Sequence, residues 1–183
     1  MKFRTASLIL STGLLLFLSW AMHSEASALK SPSTDTAVNG VVSEKARLYT
    51  VKVFFPKTPP SNNDLSYVEP VSRTTTSQSL ARVAVEQLIA GPTTAERQKG
   101  FAGAIQLRGS ANCSSDFKLS ISQGVARVQF CRTIVSAGVG DDARLKSSLT
   151  ATLKQFTSVQ SVIILDKNGN CFGDMSGENR CLN

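Results

Sequence analysis

Four cysteines carry most of the chemistry that this chain's residue types allow. Cys113, Cys131, Cys171 and Cys181 are even in number and contain no C-x-x-C pair, a spacing wrong for a zinc site. In an oxidising compartment such a set supplies disulfides, and three connectivities are open to it. Cys113 and Cys131 flank a predicted hairpin on opposite sides of its turn, while Cys171 and Cys181 bracket a short polar tail. That placement favours 113–131 and 171–181, and loops of these sizes contribute ~3 kcal/mol each in the chain-entropy picture.

Acid–base chemistry is scarcer. The one histidine, His23, lies in the N-terminal segment that precedes the folded domain. Nothing downstream can complete a Ser–His–Asp triad, a Cys–His pair or a histidine metal site. Ser115-Asp116-Phe117-Lys118 has the S-x-x-K spacing of serine acyl-enzymes, whose lysine lies one helical turn beyond the serine. Here Lys118 opens a predicted strand, so the two side chains do not converge. Asp166-Lys167-Asn168-Gly169-Asn170 copies the start of a calcium loop, yet Cys171 stands at the sixth position and Gly177 at the twelfth. Those places need glycine and a bidentate glutamate, so an Asn-Gly turn is the simpler reading. Asp141 and Asp142 are adjacent at a predicted helix start, where acids cap and complement the dipole. Arg73 closes the stretch YVEPVSR, which also holds Glu69, and reads as a structural ion-pair partner. No catalytic residue, cofactor or metal ligand emerges, and an exported hydrolase with converging carboxylates is the least favoured function.

The N-terminus supplies an address. Lys2 and Arg4 precede an apolar stretch from Leu8 to Trp20, and Ala26-Ser27-Ala28 completes the A-x-A pattern of a secretory cleavage site. The expected division is a signal peptide over 1–28, cleaved between Ala28 and Leu29, and a Ser/Thr/Asn-rich flexible linker over 29–46. The alternative is an uncleaved N-terminal anchor, the only route by which this chain would meet the membrane. Of the 20 basic and 13 acidic residues, only Lys2, Arg4 and Glu25 precede the cut, so the exported part keeps a net charge of +6. Its cations are scattered singly, a pattern of a solvated basic surface rather than a nucleic-acid site.

The elements that position these residues follow from periodicity. Leu145, Leu149, Thr152, Leu153 and Phe156 recur at helical spacing and lead into a β-branched run, Val159 and Val162 to Leu165, that predicts an interior, central strand. Arg47 opens the domain, which runs over 47–183, and a strand over Leu48 to Phe55 stops at Pro56. A second strand spans Leu65 to Arg73, with Pro70 marking an edge. Leu80 to Ile89 forms a helix with capping-box spacing at Thr75 and Gln78, Ser77 or Ser79 being the alternative caps, and ends at Gly91-Pro92. Thr93 and Glu96 cap a further turn, and GFAGAI at 100–105 reads as a mostly buried connector. Alternating residues 117–121 and 125–130 make a hairpin around Ser122-Gln123-Gly124. The order β(β)α–ββ–αβ(β) predicts one α+β domain with two helices on a mixed or antiparallel sheet. Phe54 and Phe55 point to opposite faces of their strand, one of them into the core.

Laid out in this order, the chain resembles the GerMN domain family, named from sporulation and spore-germination proteins. The matching stretches are VKVFFP at 51–56, YVEPVSR at 67–73, VAVEQLIAGPTTAE at 83–96, GFAGAI at 100–105, LSISQGVARVQF at 119–130 and LTATLKQFTSVQSVIILDKNG at 149–169. The cysteines and the CFGDMSGENRCL tail fall outside that pattern. The resemblance implies a small extracytoplasmic α+β domain with a non-catalytic role in envelope machinery, and fold transfers better than biology. One such domain occurs here, where the sporulation protein behind the family's name carries a pair. The expected partner is another envelope protein, with a cell-wall glycan or polyanion as the alternative. A bare strand edge or an exposed apolar patch is where such a partner would dock.

Overall fold

Strand β1, Tyr49–Pro56, buries Val51, Val53 and Phe55 on one face and leaves Phe54 half-buried on the other. The computed structural model describes residues 47–183; the expected signal segment, the Ala28–Leu29 cleavage point and the 29–46 linker lie outside the described residues. A short helix α1, Pro60–Asn63, separates β1 from β2, Val68–Thr75, which pairs with it antiparallel along its whole length. β2 starts three residues later than its hydrophobic pattern suggests. The reason is local: the Asp64 carboxylate accepts from the Ser66 backbone N–H at 2.8 Å and its hydroxyl at 2.6 Å, holding this stretch in a turn.

Helix α2, Leu80–Ala90, turns Ala84, Val85 and Leu88 into the core and ends at Gly91, whose φ of 81° suits glycine. The capping-box spacing at Thr75 and Gln78 is not used. Thr75 is still in β2, and the lead-in is instead a pair of serine/threonine turns, Thr75 Oγ1 accepting from Ser77 N and Ser77 Oγ from Ser79 N. Helix α3, Thr94–Gln98, does carry a capping box, with Thr93 and Glu96 bonded reciprocally. The connector at 100–105 is more open than its composition suggests: Ile105 is buried, whereas Ala102 and Gly103 are exposed.

The remaining strands are β3, Leu107–Arg108, β4, Phe117–Ser122, β5, Val125–Phe130, and β6, Thr133–Ile134. β3 and β6 form a two-residue ladder, too short to leave a periodic signal in the sequence. β4 and β5 are joined by two residues rather than three, Gln123 and Gly124, both at positive φ as a type I′ hairpin requires. Helix α4, Val139–Lys154, is capped by Gly138 without a side-chain bond. Asp141 and Asp142 therefore sit in its first turn rather than at the cap, and Asp141 Oδ2 accepts the Ala137 N–H at 2.9 Å.

β7, Ser161–Leu165, runs parallel to β5 in a sheet of order β4-β5-β7, so it lies at a sheet edge and β5 holds the centre. Its apolar character has another cause: α4 packs against one face and the C-terminal tail closes its outer side. Strands β1 and β2 form a second sheet of their own. Both long helices pack on β1, and the shared core gathers Phe55, Leu88, Phe117, Phe130, Leu145, Leu149 and Leu153. The described residues make one α+β domain.

Candidate functional site

A strand edge exposes backbone donors and acceptors, and proteins block such edges unless something is meant to pair with them. Two of the four edges offered by the two larger sheets are covered here, β1 by α4 and β7 by the tail, and β2 is interrupted by a proline.

At β1, α4 substitutes side chains for a neighbouring strand. Gln155 accepts the Lys52 N–H through Oε1 at 2.8 Å and donates from Nε2 to the Lys52 carbonyl at 2.6 Å. Thr152, fully buried, accepts the Phe54 N–H at 3.0 Å. Because the Phe54 amide faces α4, its cross-strand partner Pro70 turns its nitrogen to the far side of β2, where the missing hydrogen leaves nothing to recruit a strand. The Ser72 carbonyl on that side accepts from Arg73 Nη1 at 3.3 Å. At β7 the tail folds back: Phe172 N donates to the Ile164 carbonyl at 2.9 Å, Asp166 N to the Asn170 carbonyl at 2.8 Å, and Leu165 bridges Cys171.

β4 is the fourth edge, and it is bare. In a two-residue hairpin the closing pair, Ser122 and Val125, exchanges both hydrogen bonds, and the pairs alternate from there. Ser120 and Lys118 thus bond inward to β5, while Phe117, Leu119 and Ile121 turn their N–H and C=O outward. The Phe117 carbonyl accepts from Ser115 Oγ at 2.7 Å, which ends the free edge at that residue. Among the described residues nothing bonds the outward groups of Leu119 and Ile121.

Beside this edge runs a crevice between β4 and α2. At its Ile121 end lies a cavity of about 450 Å³ walled by Leu80, Ala81, Leu119, Ile121 and Phe156, with Arg82 at its rim. At the Phe117 end is a smaller space of about 240 Å³ beside Glu86, Ile89 and Asp116. The Arg82 guanidinium, 5.1 Å from the Phe117 ring centroid, separates the two. The outer face of the same strand shows Lys118 and, diagonally across on β5, Arg127. Neither has an ion-pair partner among the described residues, while neighbouring Asp116 is paired with Arg132 at 3.3 Å.

Ion pairs elsewhere brace the frame. Arg73 does not pair with Glu69; it makes two 2.7 Å bonds to Glu96, joining β2 to α3, and this bidentate contact holds the Glu96 carboxyl down at about 2. Glu69 accepts from Lys57 at 2.7 Å and from the Tyr67 hydroxyl at 2.8 Å. The lysine bond first, then the tyrosine bond, keeps Glu69 below the ordinary carboxylate range, and the Glu69 bond raises Tyr67 in return.

The residues singled out for chemistry do not converge. Ser115 Oγ is spent on the Phe117 carbonyl, and Lys118 projects from the strand's outer face. Asp166 Oδ1 accepts from Asn168 N at 2.8 Å and Asn170 N at 2.9 Å, which makes the pseudo-calcium loop a self-satisfied turn. Cys113 is joined to Cys131 and Cys171 to Cys181, with Cα separations of 5.7 and 5.9 Å. The second cystine pins the tail that covers β7. The crevice went unread in the sequence: its walls come from α2, β4 and the turn that follows α4, and only the tertiary pairing shows which strand is left open. The one local signal is the polar outer face of Lys118, Ser120 and Ser122.

The fold defines a small α+β domain clamped by two cystines, with no free cysteine, as fits a protein that matures outside the reducing cytosol. The Germane family, described as sporulation and spore germination, matches residues 48–170, and the chain belongs to it. Among solved structures it is similar to the tandem GerMN domains of the sporulation protein GerM from Bacillus subtilis, at 20% identity and a TM-score of 0.48 over 70% of this chain and 42% of that one. The chain thus spans less than half the length of that relative. The first GerMN domain of the same protein matches at 20% identity and a TM-score of 0.44, covering 69% of this chain and 88% of that one. A candidate lipoprotein from Clostridium perfringens matches at 17% identity and a TM-score of 0.38, covering 67% and 77%. No curated protein matches. No helix among the described residues is long and apolar enough to cross a membrane.

Proposed function

We propose that this domain is a non-catalytic, exported module of the cell envelope that holds another envelope protein. The observation that carries the reading is the contrast among sheet edges: two are covered, a third is interrupted by Pro70, and the open edge of β4 adjoins the apolar crevice under α2. Such an edge, left open beside an apolar patch, is a protein-docking feature. Family membership and the two cystines support the envelope setting without identifying the partner.

A photo-crosslinking residue placed at Ile121 in the full chain, in living cells of the source organism, tests the proposal. The same probe at Met175, which is 93% exposed and lies in the tail, serves as the control. The expected result is one recurrent envelope-protein adduct from position 121 and none from 175. Equal labelling from both positions, or adducts from neither, would remove the binding role.

A further inference from the structure

The open edge also dictates what can occupy it; this inference rests on the binding role proposed above and narrows its partner. A strand laid against β4 must bond to the outward N–H and C=O of Leu119 and Ile121, four groups within a span of three residues. Residues directly opposite each other on neighbouring strands share a face. The incoming residues opposite Leu119 and Ile121 therefore point into the 450 Å³ crevice, against Leu80, Ala81 and Phe156. The intervening residues point to the other face, where Lys118 stands beside them and Ser120 is too short to screen Arg127. Helix beside open edge strand is the arrangement by which peptide-recognition domains take up an extended segment, with backbone bonds giving affinity and alternate side-chain pockets giving specificity.

We infer that the occupant is an extended segment of a second protein, added antiparallel to β4, with apolar residues alternating with acidic ones. The apolar set fills the crevice beneath α2. The acidic set meets Lys118 and Arg127, cations whose own sheet face supplies no free carboxylate, since Asp116 is committed to Arg132. Arg82 at the crevice rim, loosely paired with Glu86 at 3.8 Å, adds to the same preference. A second copy of this chain fits less well, because its β4 offers Lys118, Ser120 and Ser122 to that face and no carboxylate.

Binding of short synthetic peptides to the full chain, followed by amide hydrogen exchange, tests the inference. The probes are an alternating valine–glutamate peptide, its valine–lysine counterpart, and a shuffled peptide of the first composition. The valine–glutamate peptide is expected to bind at least ~10-fold more tightly than the other two and to slow exchange of the Leu119 and Ile121 amides by a similar factor. Ile121→Pro removes an outward donor without touching the β4–β5 ladder, so it should abolish binding while leaving the melting temperature within a few degrees. Lys118→Glu, an exposed change with no folding risk, should reverse the order of the glutamate and lysine peptides. Protection of both amides without peptide, growing with protein concentration, would make the occupant a second copy and overturn the inference. Polyphosphate binding equal to that of the peptide, with no amide protection, would overturn it in favour of a surface polyanion contact. If the peptides fail while crosslinks from position 121 persist in cells, strand addition falls and the binding role stands; if both fail, both fall.

Discussion

The two edges of the three-stranded sheet are treated in opposite ways. β7 is a run of Ser161, Val162, Ile163, Ile164 and Leu165, β-branched and apolar, the kind of segment that aggregates when its edge is free. It is closed by Cys171 and Phe172 and locked by the Cys171–Cys181 cystine. β4 alternates Leu119 and Ile121 with Lys118, Ser120 and Ser122, and stays open. A polar, charged outer face keeps an open edge soluble, so the chain can leave β4 available for reversible pairing. β7 has no such protection of its own and receives a covalent one. The difference teaches that the tail is not decoration on a family fold; it covers the apolar edge, while β4 carries a polar face of its own.

The strongest way to break the comparison is to remove the seal. Replacing Cys171 and Cys181 together by serine should lower stability by ~3 kcal/mol, read as a shifted denaturation midpoint. It should also accelerate exchange of the Phe172 amide, which bonds Ile164 across the edge, and produce self-association that rises with concentration. If Phe172 exchange stays slow, the tail holds without its cystine and the contrast with β4 loses its covalent half.

β2 offers a milder case, since its edge is blunted by Pro70 and by Arg73, whose guanidinium is fixed by Glu96. Glu96→Ala removes a bidentate ion pair and half a capping box, and should cost about 2 kcal/mol in a urea melt. The same pair predicts a pH dependence. The folded carboxyl titrates at about 2 against an ordinary 4.5, so the folded state binds fewer protons than the unfolded one across that interval. The stability it contributes is complete above pH 4.5 and is lost as pH falls toward 2. Wild-type protein should lose more stability across that window than Glu96→Ala; parallel curves would remove Glu96 as the cause. At β1, Gln155→Ala deletes two bonds to the Lys52 backbone, and the exposed site limits the loss to about 1 kcal/mol. Faster Lys52 amide exchange would confirm that a side chain was standing in for a strand.

Local signals in the sequence reach only part of this arrangement. Thr93 and Glu96 announce a capped helix turn because both bonds of the motif close within four residues. The hairpin is visible for the same reason, in Gln123-Gly124 between two alternating runs. Thr75 and Gln78 have the same spacing as a capping box, yet β1 keeps Thr75 in the ladder, and strand pairing overrides a local cap. The Val162–Leu165 run reads as central because burial on all sides looks alike in sequence, whether a strand or a tail provides the cover. The division into separate sheets, the substitution of Gln155 for a strand and the open edge of β4 are all pairings between distant residues. No periodicity within one segment encodes them.

The smallest predicted effect concerns the hinge of the open edge itself. Gln123 holds φ at 50°, a left-handed conformation that costs a long side chain energy and that asparagine tolerates better, especially before glycine. Gln123→Asn should therefore stabilise the domain by about 0.5 kcal/mol, visible as a small rise in melting temperature. The change touches neither the crevice nor the outward groups of Leu119 and Ile121. If β4 is a pre-formed docking edge, a firmer turn should leave peptide affinity unchanged or raise it slightly, because less of the hairpin remains to be ordered on binding. A loss of affinity alongside a gain in stability would mean that the hairpin has to flex to admit its partner, and that the open edge differs from the sealed one in mobility as well as in cover.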